Sequence, residues 1–311
     1  MLRRIFLGSV VVGSLAFAVF WWLTIPAVVS PDLLPAYTPN LANGLTTFNA
    51  AGCSSCHAVP GQPDRLKLGG GLAIPSPFGT FYAPNISPDP ADGIGRWSEA
   101  EFVTAVTKGV SPAGFHYFPA FPYTSYQHAK VDDIRDLFAY LKTLADVSGK
   151  VRDHDLPFPF NIRRDVGIWK WLFMEAKPFV PDASRPASWN RGAYLAGSLG
   201  HCAECHSPRN LLGGIITAKR FAGGPNPEGE GWVPNITQKG IGEWSVKDIA
   251  YFLETGQMPD GDSAGGAMTR VIRNTSQLSA EDRAAIAEYL KSLPPVEGPP
   301  RPKNAKEGGK F

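Results

Sequence analysis

The chain has 311 residues, enough for two domains of ordinary size plus an anchor and linkers. Lys+Arg 30 against Asp+Glu 28 leaves a net charge of +2, which argues against a nucleic-acid partner. A hydrophobic fraction of 43%, with eight Trp and eighteen Phe, excludes a disordered chain, while Gly 33 and Pro 29 imply short helices joined by many loops.

The first segment, 1–29, reads as a membrane anchor. Ile5 to Ile25 is a run of 21 residues without a charge, close to the ~20 that cross a bilayer as a helix. Arg3 and Arg4 precede it, which by the positive-inside tendency keeps the N-terminus cytoplasmic and places the rest of the chain on the far side of the membrane. Trp21 and Trp22 fall at the far end, where indoles favour the membrane interface. The competing reading is a cleaved signal peptide with Ala16-Phe17-Ala18 as its cleavage site. That site lies inside the apolar run, which is also longer than the ~7–15 residues of a signal core. A linker over 30–39 follows.

Two modules then repeat, over 40–149 and 188–296. Cys53-Ser-Ser-Cys56-His57 returns 149 residues later as Cys202-Ala-Glu-Cys205-His206. Pro84-Asn85-Ile86 returns as Pro234-Asn235-Ile236, Gly93-Ile-Gly95 with Trp97-Ser98 as Gly240-Ile-Gly242 with Trp244-Ser245, and Tyr140-Leu-Lys142 as Tyr289-Leu-Lys291. One repeat of this length is a duplicated domain rather than a solenoid. Each module predicts a short helix before its cysteines, over Leu41–Ala51 and Trp189–Leu199. A second helix is opened by the capping boxes Ser98-x-x-Glu101 and Ser245-x-x-Asp248, and a last one covers Asp132–Leu144 or starts at Ser279-x-x-Asp282. No stretch alternates with period two, which predicts an all-α fold. The intervening segment 150–187 holds Phe158, Phe160, Trp169, Trp171, Phe173 and Phe179, too aromatic for a flexible linker, and is expected to pack against both modules. The Pro-, Gly- and Lys-rich end, 297–311, reads as a disordered tail.

The chemistry lies in the two clusters. Cysteines at i and i+3 can add to the two vinyl groups of one haem, and a histidine directly after the second lies under the iron as its proximal ligand. Cys53, Cys56, Cys202 and Cys205 therefore predict two covalent haem c groups, with His57 and His206 as iron ligands. A zinc site would not require a histidine after each pair, and a dithiol enzyme would not repeat the pair in duplicated helical modules. No cysteine is left over for a disulfide framework.

The sixth ligand governs what each haem can do. In the second module Met268, in the loop Gly265-Gly-Ala-Met268 ahead of the final helix, is expected to be the axial ligand, with Met258 on the Gly256-Gln-Met-Pro259 turn as the competitor. The first module has no methionine between residues 40 and 150. His128, just ahead of the last helix, is its candidate axial ligand and His116 the runner-up. His154 and His201 read as structural or solvent-facing.

From Ala42 to Pro294 the chain resembles the membrane-bound cytochrome c subunits of bacterial periplasmic dehydrogenases, those for alcohols, gluconate and aldehydes. The resemblance rests on Ala83-Pro-Asn-Ile86, Gly93-Ile-Gly95 with Trp97-Ser98, and Phe118-Pro-Ala-Phe-Pro-Tyr-Thr-Ser-Tyr126. Phe158-Pro-Phe-Asn-Ile-Arg-Arg164 and Gly265-Gly-Ala-Met268 add to it. It implies two tandem class I cytochrome c-like domains behind one transmembrane helix, a dehydrogenase as electron donor, and a quinone or a terminal oxidase as acceptor. Two departures stand out: the alcohol and gluconate subunits usually carry three haem motifs, and their Pro-Ala-Met-Pro-Tyr string is Pro119-Ala-Phe121-Pro-Tyr123 in this sequence. The resulting expectation is an electron-transfer protein, not a catalyst itself. The lack of a first-module methionine keeps open a di-haem peroxidase or a sulfur-compound oxidoreductase. A third reading is a haem-bearing subunit that only anchors a partner.

Overall fold

The serines that sequence spacing marks as helix starts act as such in the computed structural model, which describes residues 2–302. Ser98 and Ser245 each accept a hydrogen bond from the backbone N–H three residues on, and the side chains of Glu101 and Asp248 reach back to the serine backbone, closing two capping boxes. They open α4 and α11 in the chain order that follows. α1 covers Leu2–Leu23, α2 Leu41–Ala50 and α3 Cys53–His57. A hairpin of β1 (Ala73–Ser76) and β2 (Gly79–Tyr82) precedes α4 (Glu99–Lys108), α5 (Tyr123–Tyr126) and α6 (Val131–Leu141), which complete the first module. α7 (Val166–Phe173) lies in the intervening segment. The second module consists of α8 (Ala187–Tyr194), α9 (Cys202–His206), β3 (Gly224–Pro225), β4 (Trp232–Val233), α10 (Gln238–Ile241), α11 (Val246–Thr255), α12 (Met268–Thr275) and α13 (Ala280–Lys291).

The modules are helical, as the sequence predicts, with two small antiparallel hairpins in addition. β1 pairs with β2 from Ala73↔Tyr82 to Ser76↔Gly79, and β3 with β4 over Gly224↔Val233 and Pro225↔Trp232. Four and two residues are too few to print a period-two pattern, so these strands left no signal in the sequence. A second difference is α12: the residues from Met268 onward form a helix of their own before the final helix α13.

Each module is built on one helix crossing, α2 over α6 in the first and α8 over α13 in the second. Both crossings are close enough to require glycine. A Cβ on Gly44 would stand 2.3 Å from the Asp136 carbonyl oxygen and one on Gly192 1.8 Å from that of Ala285. Around them a single buried cluster joins the modules: Phe48, Ile134, Leu137 and Leu141 of the first share it with Tyr194, Leu195, Leu199 and Ile286 of the second.

The intervening segment packs on both modules. Phe179 N donates to His128 O (3.0 Å) and Ala176 N to Gln127 Oε1 (2.7 Å) on one side, while Trp169 Nε1 donates to Leu212 O (2.8 Å) on the other. At the other end of the body, Asn235 Nδ2 donates to Val296 O, Glu297 pairs with Lys239 and Gly298 lies against the Ala222 carbonyl. The stretch expected to be a tail therefore begins packed, and residues 303–311 lie outside the described residues.

The Gly192→Ala variant should lower stability by about 2 kcal/mol, the usual cost of forcing extra volume into a closed contact. Gly197→Ala, whose Cβ would meet only Arg220 at 3.9 Å, should leave the guanidinium unfolding midpoint unchanged.

Candidate haem sites

On the one-turn helix α3, Cys53, Cys56 and His57 share a face, being spaced i, i+3 and i+4, and α9 presents Cys202, Cys205 and His206 in the same way. All four cysteines are free of disulfides. Burial pushes the Cys53 and Cys205 thiols up to about 12 and those of Cys56 and Cys202 up to about 11. A redox dithiol needs a thiol poised low enough to ionise, so these pairs are poorly suited to that chemistry. No group of three or more His, Cys, Asp or Glu side chains placed to hold a metal occurs among the described residues, so the two pairs do not converge on a zinc site.

What the pairs do fit is set by the histidines. His57 Nδ1 lies 2.8 Å from the Pro84 carbonyl oxygen, and His206 Nδ1 lies 2.8 Å from that of Pro234. A carbonyl only accepts, so each Nδ1 carries the proton and each Nε2 keeps its lone pair on a ring held in one orientation. Burial lowers both imidazole pKa values, against the opposing pull of the proline carbonyls, and keeps the rings neutral. A neutral imidazole with a free Nε2 beside two thiols on one helical face is the donor set of a covalently attached haem.

The repeated Pro-Asn-Ile string thus has a role that sequence reading missed. Its proline supplies the carbonyl, 27 residues after His57 and 28 after His206. Its asparagine braces the loop: Asn85 Nδ2 donates to Val147 O (2.6 Å) and Asn235 Nδ2 to Val296 O (2.8 Å), tying each loop to the chain just past the module's last helix. The recurrence of the string at nearly the same distance beyond each cluster, 27 and 28 residues, was the available signal.

α3 and α9 are each held by the opposite module, through equivalent contacts. Ser55 and Glu204 stand 149 residues apart, as do Ser125 and Asn274. Glu204 accepts from Ser125 Oγ (2.9 Å) and Thr124 Oγ1 (2.6 Å) of the first module. Asn274 of the second donates from Nδ2 to Ser55 Oγ (2.7 Å) and accepts from Ser54 Oγ at 2.8 Å. Such a reciprocal exchange between equivalent positions is the pattern of an approximate two-fold relation between the modules. Just ahead of α9, His201, in the left-handed region at φ 40°, donates from Nε2 to Ala51 O (3.3 Å) and sets its ring edge-on to Tyr126 at 5.6 Å. The same left-handed position before α3 is taken by Gly52, at φ 61°. Burial works against the Glu204 charge. Arg209, at 2.7 Å, and the two hydroxyls outweigh it and hold the carboxyl below its usual range.

The axial candidates are placed as follows. Met268 is the first residue of α12 and packs half-buried against the cluster of Phe252, Met258 and Ile272, in which Met258 is itself buried. His128 is half-buried, with Nδ1 against the Lys177 carbonyl, which leaves its Nε2 lone pair free. His116 is buried with both nitrogens engaged, Nε2 with Thr24 O (3.0 Å) and Nδ1 with Lys170 Nζ (3.1 Å). Phe121 sits edge-on to Tyr117, Tyr123 and Tyr126, in an aromatic box. His154 is structural, accepting from Tyr82 N (3.1 Å) between the rings of Phe81 and Phe118.

Acid-acetone extraction should leave two haem equivalents per chain in the pyridine haemochrome assay. The double variant Cys202→Ala/Cys205→Ala should retain one, carried by the first module. Retention of both equivalents in that variant would contradict the assignment.

Comparison with known proteins gives this arrangement its family. The cytochrome c family model matches twice, over residues 41–145 and 190–294. A protein of Cereibacter sphaeroides named diheme cytochrome c-type is 46% identical over 298 residues, covering 95% of this chain and 100% of that protein. A nicotinate dehydrogenase subunit of Pseudomonas putida is 39% identical over 93% of this chain, which spans 24% of that longer protein. The fructose dehydrogenase cytochrome subunit of Gluconobacter japonicus is 37% identical over 85% of this chain, which spans 54% of it. With two matched domains, a Cys-x-x-Cys-His helix in each and a relative named as a two-haem protein aligned end to end, the chain belongs to the cytochrome c family as an electron-transfer protein carrying two c-type haems.

Proposed function

We propose that the chain relays electrons from a partner dehydrogenase to a quinone or a terminal oxidase, on the periplasmic side of a bacterial inner membrane. The observation that carries this reading is the reciprocal contact of each Cys-x-x-Cys-His helix with the opposite module, within one shared core: Glu204 on α9 with Ser125, and Ser55 on α3 with Asn274. The haems supply a reversible one-electron change at iron. The chain's own residues fix the imidazoles, bury the attachment faces and hold the modules in register. The donor is read from relatives named as subunits of fructose and nicotinate dehydrogenases.

Retention at the membrane is read from α1. Its 22 residues have a mean hydropathy of 2.0 in the most apolar window, and none is buried in the body. The chain that follows is bolted to the globular part. Arg164 donates from Nε to Thr24 Oγ1 and from Nη2 to Trp21 O, each at 2.7 Å, and His116 bonds Thr24 O. A fixed junction of this kind suits a permanent anchor.

For the irons, Met268 is the proposed partner of His206. His128, with its free Nε2, is the proposed partner of His57, since both nitrogens of His116 are already engaged. Imidazole favours ferric iron more than a thioether does, so a haem held by His57 and His128 would have a lower potential than one held by His206 and Met268, as befits the donor side of the relay.

Met268→Ala should lower the potential of the second haem and abolish its far-red thioether–iron band, and Met258→Ala should do neither; the reverse pattern would exchange the two assignments. In low-temperature spectra His128→Ala should convert a low-spin first haem to high spin. An unchanged low-spin signal would move that ligand elsewhere. The function itself is tested by purifying the full chain from its native membranes after a carbonate wash. A dehydrogenase polypeptide should accompany it, and that enzyme's substrate should reduce both haems. Release by the wash contradicts the anchor, and purification without any oxidoreductase contradicts the partner.

A further inference from the structure

The face around α7 serves neither haem site. α7 reads Val166-Gly-Ile-Trp-Lys-Trp-Leu-Phe173 and carries a single charge. Its inward side is Val166, Gly167 and Lys170, all buried. Lys170 Nζ donates to the carbonyls of Lys108 (2.7 Å) and Gly109 (2.6 Å) at the C-terminal end of α4, where a cation is favoured. With its one charge spent inward, α7 turns an uncharged surface outward, on which Trp171 is 66% and Leu172 48% exposed.

Two loops extend this surface. The hydrogen bond from Trp169 Nε1 to Leu212 O, and the close approach of the Phe173 ring to Gly214, bring in Leu211 and Leu212, 99% and 58% exposed. Phe78 lies against Gly213 and packs its ring on Phe160 at 5.2 Å, adding the exposed Phe158 and Phe160. Single exposed apolar residues are ordinary, but six large ones gathered from three chain segments mark a contact surface.

Its location indicates what it contacts. The end of α1 is joined to the start of α7 through Thr24, which bonds Arg164 and lies where a Cβ on Gly167 would stand 2.7 Å from it, and the Arg164 guanidinium stacks over Trp21 at 4.1 Å. The patch therefore begins where the apolar span ends. Specific protein interfaces surround their apolar centre with a rim of polar groups, whereas the exposed side chains of α7 offer one, the Trp171 indole N–H; an indole at the edge of apolar surface is what a bilayer interface favours. We propose that α7, with the Leu211–Leu212 and Phe158–Phe160 loops, dips into the lipid interface beside the anchor. This second, in-plane contact holds the two haem modules at one fixed tilt on the membrane. It rests on reading α1 as a retained anchor.

The test uses full-length, haem-loaded protein in phosphatidylcholine–phosphatidylglycerol vesicles, with one added cysteine carrying a spin label. Collisions with oxygen relative to a water-soluble nickel chelate report lipid contact. Leu172→Cys and Leu211→Cys probe the patch, Val12→Cys probes α1, and Glu281→Cys probes an exposed charged position on α13. Labels at 172 and 211 should show a ratio shifted away from that at 281 and toward that at 12. If they match 281 while the label at 12 lies in lipid, the patch proposal fails and the anchor stands. Labels at 172 and 211 shielded from both reagents would reveal a protein contact and overturn the proposal in favour of a docked chain. A label at 12 in water would overturn the anchor, and the lipid contact with it.

Discussion

The structure depends on a reciprocal exchange between the modules, in which the residues between each pair of clustered cysteines are held by the opposite module. Glu204 on α9 reaches Thr124 and Ser125, and Ser54 and Ser55 on α3 reach Asn274. A buried carboxylate is tolerated there because Arg209 and two hydroxyls satisfy it. Stripping away one charged partner of such a pair costs about 3–5 kcal/mol. The left-handed backbone at His201 belongs to the same contact, since it turns the ring toward Ala51 and Tyr126. The modules are consequently not two beads on a string. They share a core and present both attachment faces in one fixed relation, which electron transfer within a single chain requires.

The junction between α1 and the globular part obeys a similar logic. Thr24 is fully buried, and His116, Arg164 and Gly167 close around it. His116 is thereby committed to structure, bridging the end of α1 and the ammonium of Lys170. The orientation of α1 is coupled through α7 to α4 in the first module, and through Trp169 to the Leu211–Leu212 loop in the second.

Much of this was legible in the sequence because it was written twice. The repeated Cys-x-x-Cys-His clusters gave the cofactor and its number, and the serine capping boxes gave the helix starts with their register. The aromatic content of 150–187 correctly indicated a packed segment. What escaped was whatever depends on meetings between distant residues. Nothing local to Pro84 says that its carbonyl fixes His57, and nothing in Ser54, Ser55 or Glu204 says that they face another module. The β-hairpins were too short for periodicity, and α12 was hidden behind the glycines at 265 and 266, which read as loop. In the sequence His128 stands ahead of His116 only by its place before the last helix; the neighbours of their nitrogens add that both of those on His116 are engaged.

The central claim is that the two haems exchange electrons inside one chain. Pulse radiolysis of the full-length protein, with less reductant than haem, measures this directly. Electrons first captured by either haem should redistribute between the two spectra at a rate independent of protein concentration. A redistribution rate that rises in proportion to protein concentration would show transfer between molecules and contradict the relay.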